Sequence, residues 1–120
     1  MKHTFLLILL FVLAGCGKSL PTLENFDTKL WKDDRGACKN LRIGLEQSLA
    51  LQKDKLLGLK EVQIVELLGR PDENELYQRN QKFYFYHLSP GKTCESSNVE
   101  SKVLEIRFNA MGLAKEIFIK

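Results

Sequence analysis

The sequence predicts an α+β domain, with two helices packed on one face of a three-stranded antiparallel sheet, in the order α-α-β-β-β. Three observations carry this expectation. Up to Pro71 the apolar residues recur at helical spacing, and beyond it they alternate or cluster as aromatic and β-branched runs. Gly58 separates two helical segments, while Gly69 and Pro71 stop the second. Gly112, in Asn109-Ala110-Met111-Gly112, divides the last two strands.

The chain begins with an address. Met1-Lys2-His3 is a short basic start, and Phe5 to Leu13 is an unbroken run of nine apolar residues. A charged start, a short apolar run and small residues before a cleavage point make a secretory signal over residues 1–15. A permanent membrane span needs about 20 apolar residues, so this run is too short to be one. Leu13-Ala14-Gly15-Cys16 resembles the lipobox of bacterial lipoproteins. That resemblance implies cleavage before Cys16, a diacylglycerol on its sulfur and an acylated amine. Two or more acyl chains anchor stably where one does not, so the bilayer is the first expected partner. The alternative is an ordinary secreted protein that starts with a free cysteine. Gly17, not Asp, follows the cysteine. In enterobacteria-like sorting this resembles delivery to the outer membrane, facing the periplasm.

Loss of 15 of the 120 residues leaves 105, one domain's worth. Acidic and basic residues are interleaved, and the formal charge of the full chain is only +3. No Lys/Arg run points to nucleic acid or to anionic lipid. Residues 16–25 read as a lipidated tether and 26–120 as the domain.

Cys38 and Cys94 remain as an even pair once Cys16 is lipidated. Joining them closes a loop whose chain-entropy contribution is roughly 4 kcal/mol. A redox or metal pair is the alternative, but neither cysteine lies in Cys-x-x-Cys and no histidine is near either in sequence.

Asp27 is placed to cap a helical turn carrying Phe26, Leu30 and Trp31. These close one end of the core, or Trp31 reaches the bilayer or a partner. Asp33-Asp34-Arg35-Gly36 reads as a turn. From about Cys38 to Leu56, Cys38, Leu41, Leu45, Leu49 and Leu56 fall within an arc of about 80° at helical spacing, which predicts one long amphipathic helix. The second runs from Gly58 to Gly69, and at least one of Leu67 and Leu68 is expected to be fully buried. Asp72-Glu73-Asn74-Glu75 reads as an acidic loop, 82–88 as an aromatic strand, 94–101 as a polar loop, and 103–108 and 113–119 as a closing hairpin.

The segment from Gly58 to Pro71, with its Leu67-Leu68-Gly69-Arg70-Pro71 ending, resembles the small outer-membrane lipoproteins called BamE, also SmpA or OmlA. Tyr84 and Tyr86 fit the family's spaced aromatic pair, and Leu104-x-Ile106-x-Phe108 with Gly112 fits its hairpin. The resemblance covers roughly residues 41–120. It implies a protein-interaction module of the cell envelope, acting in outer-membrane protein assembly or envelope integrity. Lys60 stands where the family has Ser or Thr as helix cap, and a lysine side chain cannot accept the first-turn amides. The same helix-pair-on-sheet arrangement resembles periplasmic β-lactamase inhibitor modules, so a periplasm-facing inhibitor or small-ligand binder is the alternative.

Enzymatic classes find little support. Residues 16–120 hold one histidine, His87, and no Ser-His-Asp, Cys-His or multi-His arrangement. No Gly-rich phosphate loop is present, and no cofactor or metal is expected. Asp33-Asp34 and Asp72-Glu73-Glu75 could pair carboxylates, but their loop settings read as solvated charge. The candidate partner surface is on strand 82–88. If Tyr84, Tyr86 and Leu88 face the helices, as the BamE-like pattern implies, then Phe83, Phe85 and His87 face away, beside Glu105 and Arg107. The alternative is that the Phe26–Trp31 segment folds back over them.

Overall fold

A computed structural model of the chain describes residues 18–91, 94 and 101–120. The predicted leader and Cys16 lie outside the described residues, as does most of the 94–101 loop. Three α-helices, α1 (Thr28–Asp33), α2 (Glu46–Gln52) and α3 (Glu61–Leu68), precede four strands. These are β1 (Glu73–Tyr77), β2 (Gln81–His87), β3 (Val103–Phe108) and β4 (Ala114–Ile119). They form one antiparallel sheet in the order β1-β2-β3-β4, so the α+β class holds and the sheet is one strand larger than expected.

The extra strand is the segment read as an acidic loop. Glu73 pairs with Phe85, Glu75 with Phe83 and Tyr77 with Gln81. All five β1 residues are exposed. The strand is held by its backbone ladder and buries little, so the sequence carries no alternation strong enough to mark it. Arg79 and Asn80 turn the hairpin with φ of 64° and 59°.

The predicted long helix is also different. It is broken into a 3-10 turn at Arg42–Leu45, the α-helix α2 and a second 3-10 turn at Lys53–Leu56. Residues 38–41 are not helical, because the buried Asp34 carboxylate takes the backbone amides of Lys39 (2.7 Å), Leu41 (2.8 Å) and Arg42 (3.2 Å). Ala37 and Asn40 take φ of 56° and 57° to make this possible. Leu41 is consequently 45% exposed, whereas Leu49 and Leu56 reach the core.

Helix α3 matches its expected position. Its N-terminus is served by Gln63, whose Oε1 accepts from the Lys60 amide at 2.9 Å. This is the reaching-back half of a capping box, and Lys60 contributes only backbone. Gly69 ends the helix with φ 80° and ψ −175°, its amide bonded to the Val65 carbonyl at 2.8 Å. The φ is positive as expected, but the ψ is extended and leads directly into Pro71.

Leu68 is fully buried and Leu67 is 6% exposed. They pack with Ile64 in one core that includes Tyr86, Leu104, Ile106 and Phe108 from the inner face of the sheet. Leu68→Ala is expected to lower the unfolding free energy by about 2–5 kcal/mol. Val62→Ala, at a position 70% exposed, should stay within about 0.5 kcal/mol of the parent. Urea denaturation of both variants checks the contrast.

Trp31 belongs to this core. It is fully buried, donates from Nε1 to the Leu68 carbonyl at 3.0 Å, and packs between Phe26 (5.3 Å) and Tyr86 (6.0 Å). Asp27 caps α1 through the Leu30 amide at 3.1 Å. The 26–31 segment therefore closes the inner side and does not cover the opposite face.

The Tyr86 hydroxyl donates to the Gly69 carbonyl at 2.8 Å. Burial first, then the negative charge of ionised Tyr84 and of Asp72, raises the Tyr86 phenol far above its ordinary 10.0. The folded state thus holds this proton more tightly than the unfolded chain does. The resulting stability is complete below pH 10 and is lost as pH rises beyond it. Tm is expected to fall above pH 10, and Tyr86→Phe should flatten that fall.

Candidate protein-docking face

Strand alternation sorts the sheet into two faces. Tyr84, Tyr86 and Leu88 point toward the helices, where Tyr86 and Leu88 are fully buried. Register places Phe83 opposite Arg107 and Phe85 opposite Glu105, both on the other face. Glu105 is in turn opposite Phe118, and Arg107 opposite Glu116. β1 adds Glu73, Glu75 and Tyr77 to the same face.

The aromatic rings form a row. Phe83 and Phe85 stack at 6.3 Å between centroids, and Tyr77 meets Phe83 edge-on at 5.0 Å. Tyr77 is 58% exposed and Phe118 39%, while Phe83 and Phe85 are half-buried by their neighbours. The core residues of α1, α2 and α3, Trp31, Leu49, Ile64 and Leu68, pack with Tyr86, Leu104, Ile106 and Phe108 of the opposite face.

Charges frame the row. Arg107 Nη2 pairs with Glu116 at 2.7 Å, and Lys120 Nζ pairs with Glu105 at 3.0 Å and lies over Phe118. With Glu73 and Glu75, four carboxylates stand against two cations. The face is acidic on a chain whose formal charge is +3.

His87, expected beside Phe83 and Phe85 as an exposed contact, is only 6% exposed. Its Nδ1 is hydrogen-bonded to Ser101 Oγ, and Gly91 lies so close that a Cβ there would sit 2.6 Å from the ring. Nε2 is 3.5 Å from Glu73 Oε2. The chain leaving β2 folds over the imidazole and removes it from the surface. Arg107 is at the surface but is occupied by Glu116.

Beneath the end of β2 lies a buried polar cluster that sequence reasoning missed. Asp72 Oδ2 accepts from Arg42 Nη1 (2.7 Å) and the His87 amide (2.8 Å), and its Oδ1 accepts from the Gly36 amide (2.8 Å). Arg42 Nε donates to the Trp31 carbonyl at 2.8 Å, and its guanidinium lies 4.6 Å from the Trp31 ring centre. Asp34 and Asp72 are thus not solvated loop charges, because each carboxylate is filled by amides or by Arg42. Filled in this way, the cluster braces the loop rather than offering a free acid or base.

Cys38 and Cys94 are disulfide-bonded, with Cα atoms 5.4 Å apart. Among the described residues no group of three or more His, Cys, Asp or Glu could hold a metal ion. Among the same residues no helix is long and apolar enough to cross a membrane. A surface recess of about 550 Å³ is lined by Glu24, Gln47, Ser48, Leu51 and Gln52 among others, and Leu51 there is 83% exposed.

Comparison with protein-family models, with curated proteins and with solved structures returns no match to this chain.

Proposed function

We propose that the chain is a membrane-anchored lipoprotein of the bacterial cell envelope that binds a protein partner on the outer face of its sheet. The single observation supporting the binding role is the row of Tyr77, Phe83, Phe85 and Phe118 on the sheet face opposite the core, in an acidic frame. Aromatic residues rimmed by charge are the common composition of protein-contact surfaces. The frame favours a partner segment that alternates apolar with Lys or Arg side chains, and β1 offers a free strand edge for it. The anchor rests on the Leu13-Ala14-Gly15-Cys16 ending. Placement in the outer membrane, facing the periplasm, and a part in outer-membrane protein assembly rest on Gly17 and on the BamE-like Gly58–Pro71 segment. The reading is one of binding, without catalysis, cofactor or metal.

The test is purification of the native lipoprotein from membranes beside two variants. Phe83→Ser with Phe85→Ser should leave the cooperative melt intact and strip the co-purifying partner. Loss of a central aromatic pair commonly costs at least 2 kcal/mol, or about 30-fold in affinity. Cys16→Ser should remove the acyl mass and release the chain into the soluble fraction. Undiminished partner recovery with the double variant overturns the docking face, and a membrane-bound Cys16→Ser chain overturns the anchor.

A further inference from the structure

We infer that the domain stands directly on the bilayer, with the Lys53–Leu57 turn and the start of α3 facing the lipid headgroups. This rests on the lipid anchor proposed above and adds an orientation to it. Lys18 is fastened to the domain through both side chain and backbone. Its Nζ donates to the carbonyls of Lys55 (2.9 Å) and Leu57 (2.6 Å), and Gln63 Nε2 donates to the Lys18 carbonyl at 2.6 Å. The segment read as a tether stays bound beyond this point. Lys55 Nζ reaches the Thr22 carbonyl at 3.2 Å, the Glu24 amide donates to Gln52 at 2.8 Å, and Leu23 and Phe26 are buried in the core.

Only Gly17 separates Lys18 from Cys16. A fully extended chain spans at most about 3.3–3.6 Å per residue, so the Cys16 Cα stays within about 7 Å of that of Lys18. An acyl chain on the Cys16 sulfur then holds this end of the domain at headgroup depth, with no free tether to let it turn away.

The side chains here suit a lipid surface. Lys18, Lys53, Lys55 and Lys60 stand against two carboxylates between positions 53 and 62, Asp54 and Glu61, and Glu61 is paired with Lys82 at 3.2 Å. Leu20 (41%), Leu57 (36%) and Val62 (70%) are exposed apolar groups among them. Lysines draw such a surface toward anionic headgroups, and apolar side chains enter the interface. The acidic aromatic face is on the side of the sheet away from α2 and α3, so this orientation leaves it clear of the lipid.

The experiment uses the full lipoprotein, with the acyl mass on the Cys16 peptide established first. The protein is reconstituted into phosphatidylethanolamine–phosphatidylglycerol vesicles containing lipid brominated near the headgroup. Tryptophan is introduced singly as Leu57→Trp, Val62→Trp and Phe118→Trp, over the constant background of the buried Trp31. Brominated lipid is expected to quench the added emission of Leu57→Trp and Val62→Trp about twofold or more and to leave that of Phe118→Trp unchanged. An acylated protein in which Leu57→Trp and Val62→Trp are both unquenched, including with blue-shifted emission from burial against another protein, overturns the orientation and leaves the anchor standing. A Cys16 peptide without acyl mass overturns both.

Discussion

Arg42→Ala is expected to lower the unfolding free energy by about 3–5 kcal/mol, one of the largest effects of any single change in the chain. Arg42 is 1% exposed and ties three elements together. Its Nε holds the end of α1 through the Trp31 carbonyl at 2.8 Å, and its Nη1 holds Asp72 at 2.7 Å and the His87 carbonyl at 3.2 Å. The loss exceeds that of the packing alone, because the substitution takes the 2.7 Å partner from an Asp72 side chain that is 3% exposed and leaves it only the 57% exposed Arg35 at 3.9 Å. A buried pair replaced as a whole behaves differently, since its desolvation cost disappears with it. Arg42→Met with Asp72→Asn should therefore recover part of what Arg42→Ala loses. The side-chain amide introduced by Asp72→Asn keeps one oxygen for the Gly36 or His87 amide, each of which is bonded to Asp72 at 2.8 Å. Urea midpoints of Arg42→Met, Asp72→Asn and the double variant close the cycle. Strictly additive losses would mean that Arg42 and Asp72 do not act as a pair.

The elements legible in the sequence are those whose own side chains drive burial. Helix α3 shows because Ile64, Leu67 and Leu68 are its core face and Gly69 with Pro71 stops it. β3 shows because Leu104, Ile106 and Phe108 alternate strictly with half-buried residues. What was missed is organised by polar contacts between distant positions. Asp34 uses its carboxylate to unwind 38–41, so a leucine stripe with good helical spacing starts as a loop. Arg42, on the polar side of that stripe, is internal because Asp72, 30 residues on, meets it there. β1 is written in Glu, Asn and Glu and exists because β2 has a free edge to pair. The candidate docking face was half legible. Period two put Phe83 and Phe85 on one face and only the family resemblance pointed that face outward, but neither could show that the chain after β2 returns over His87.

Opening the Cys38–Cys94 bond is expected to destabilise the domain by about 4 kcal/mol, from the chain entropy of a loop spanning 56 positions. For a domain of about 100 residues each kcal/mol moves Tm by about 4–8 °C, so a fall of about 15–30 °C follows. The loss should be uneven along the chain. On the Cys38 side the Asp34 carboxylate independently fixes the amides of Lys39, Leu41 and Arg42, and Gly36 is bonded to Asp72. On the other side Cys94 has its amide on the Gly91 carbonyl at 3.0 Å and its sulfur against the Gly36 carbonyl at 3.5 Å. With the bond open, residues 34–42 keep their polar brace, whereas the connection between β2 and β3 loses its covalent tie. Cys38→Ser with Cys94→Ser should thus become susceptible to limited proteolysis between Leu88 and Lys102 while the 34–42 segment stays protected. Hydrogen exchange at the Leu41 and Arg42 amides, which point at Asp34, reads the protected side directly. Equal loss of protection on both sides would show that the disulfide, and not Asp34, is what shapes the loop before α2.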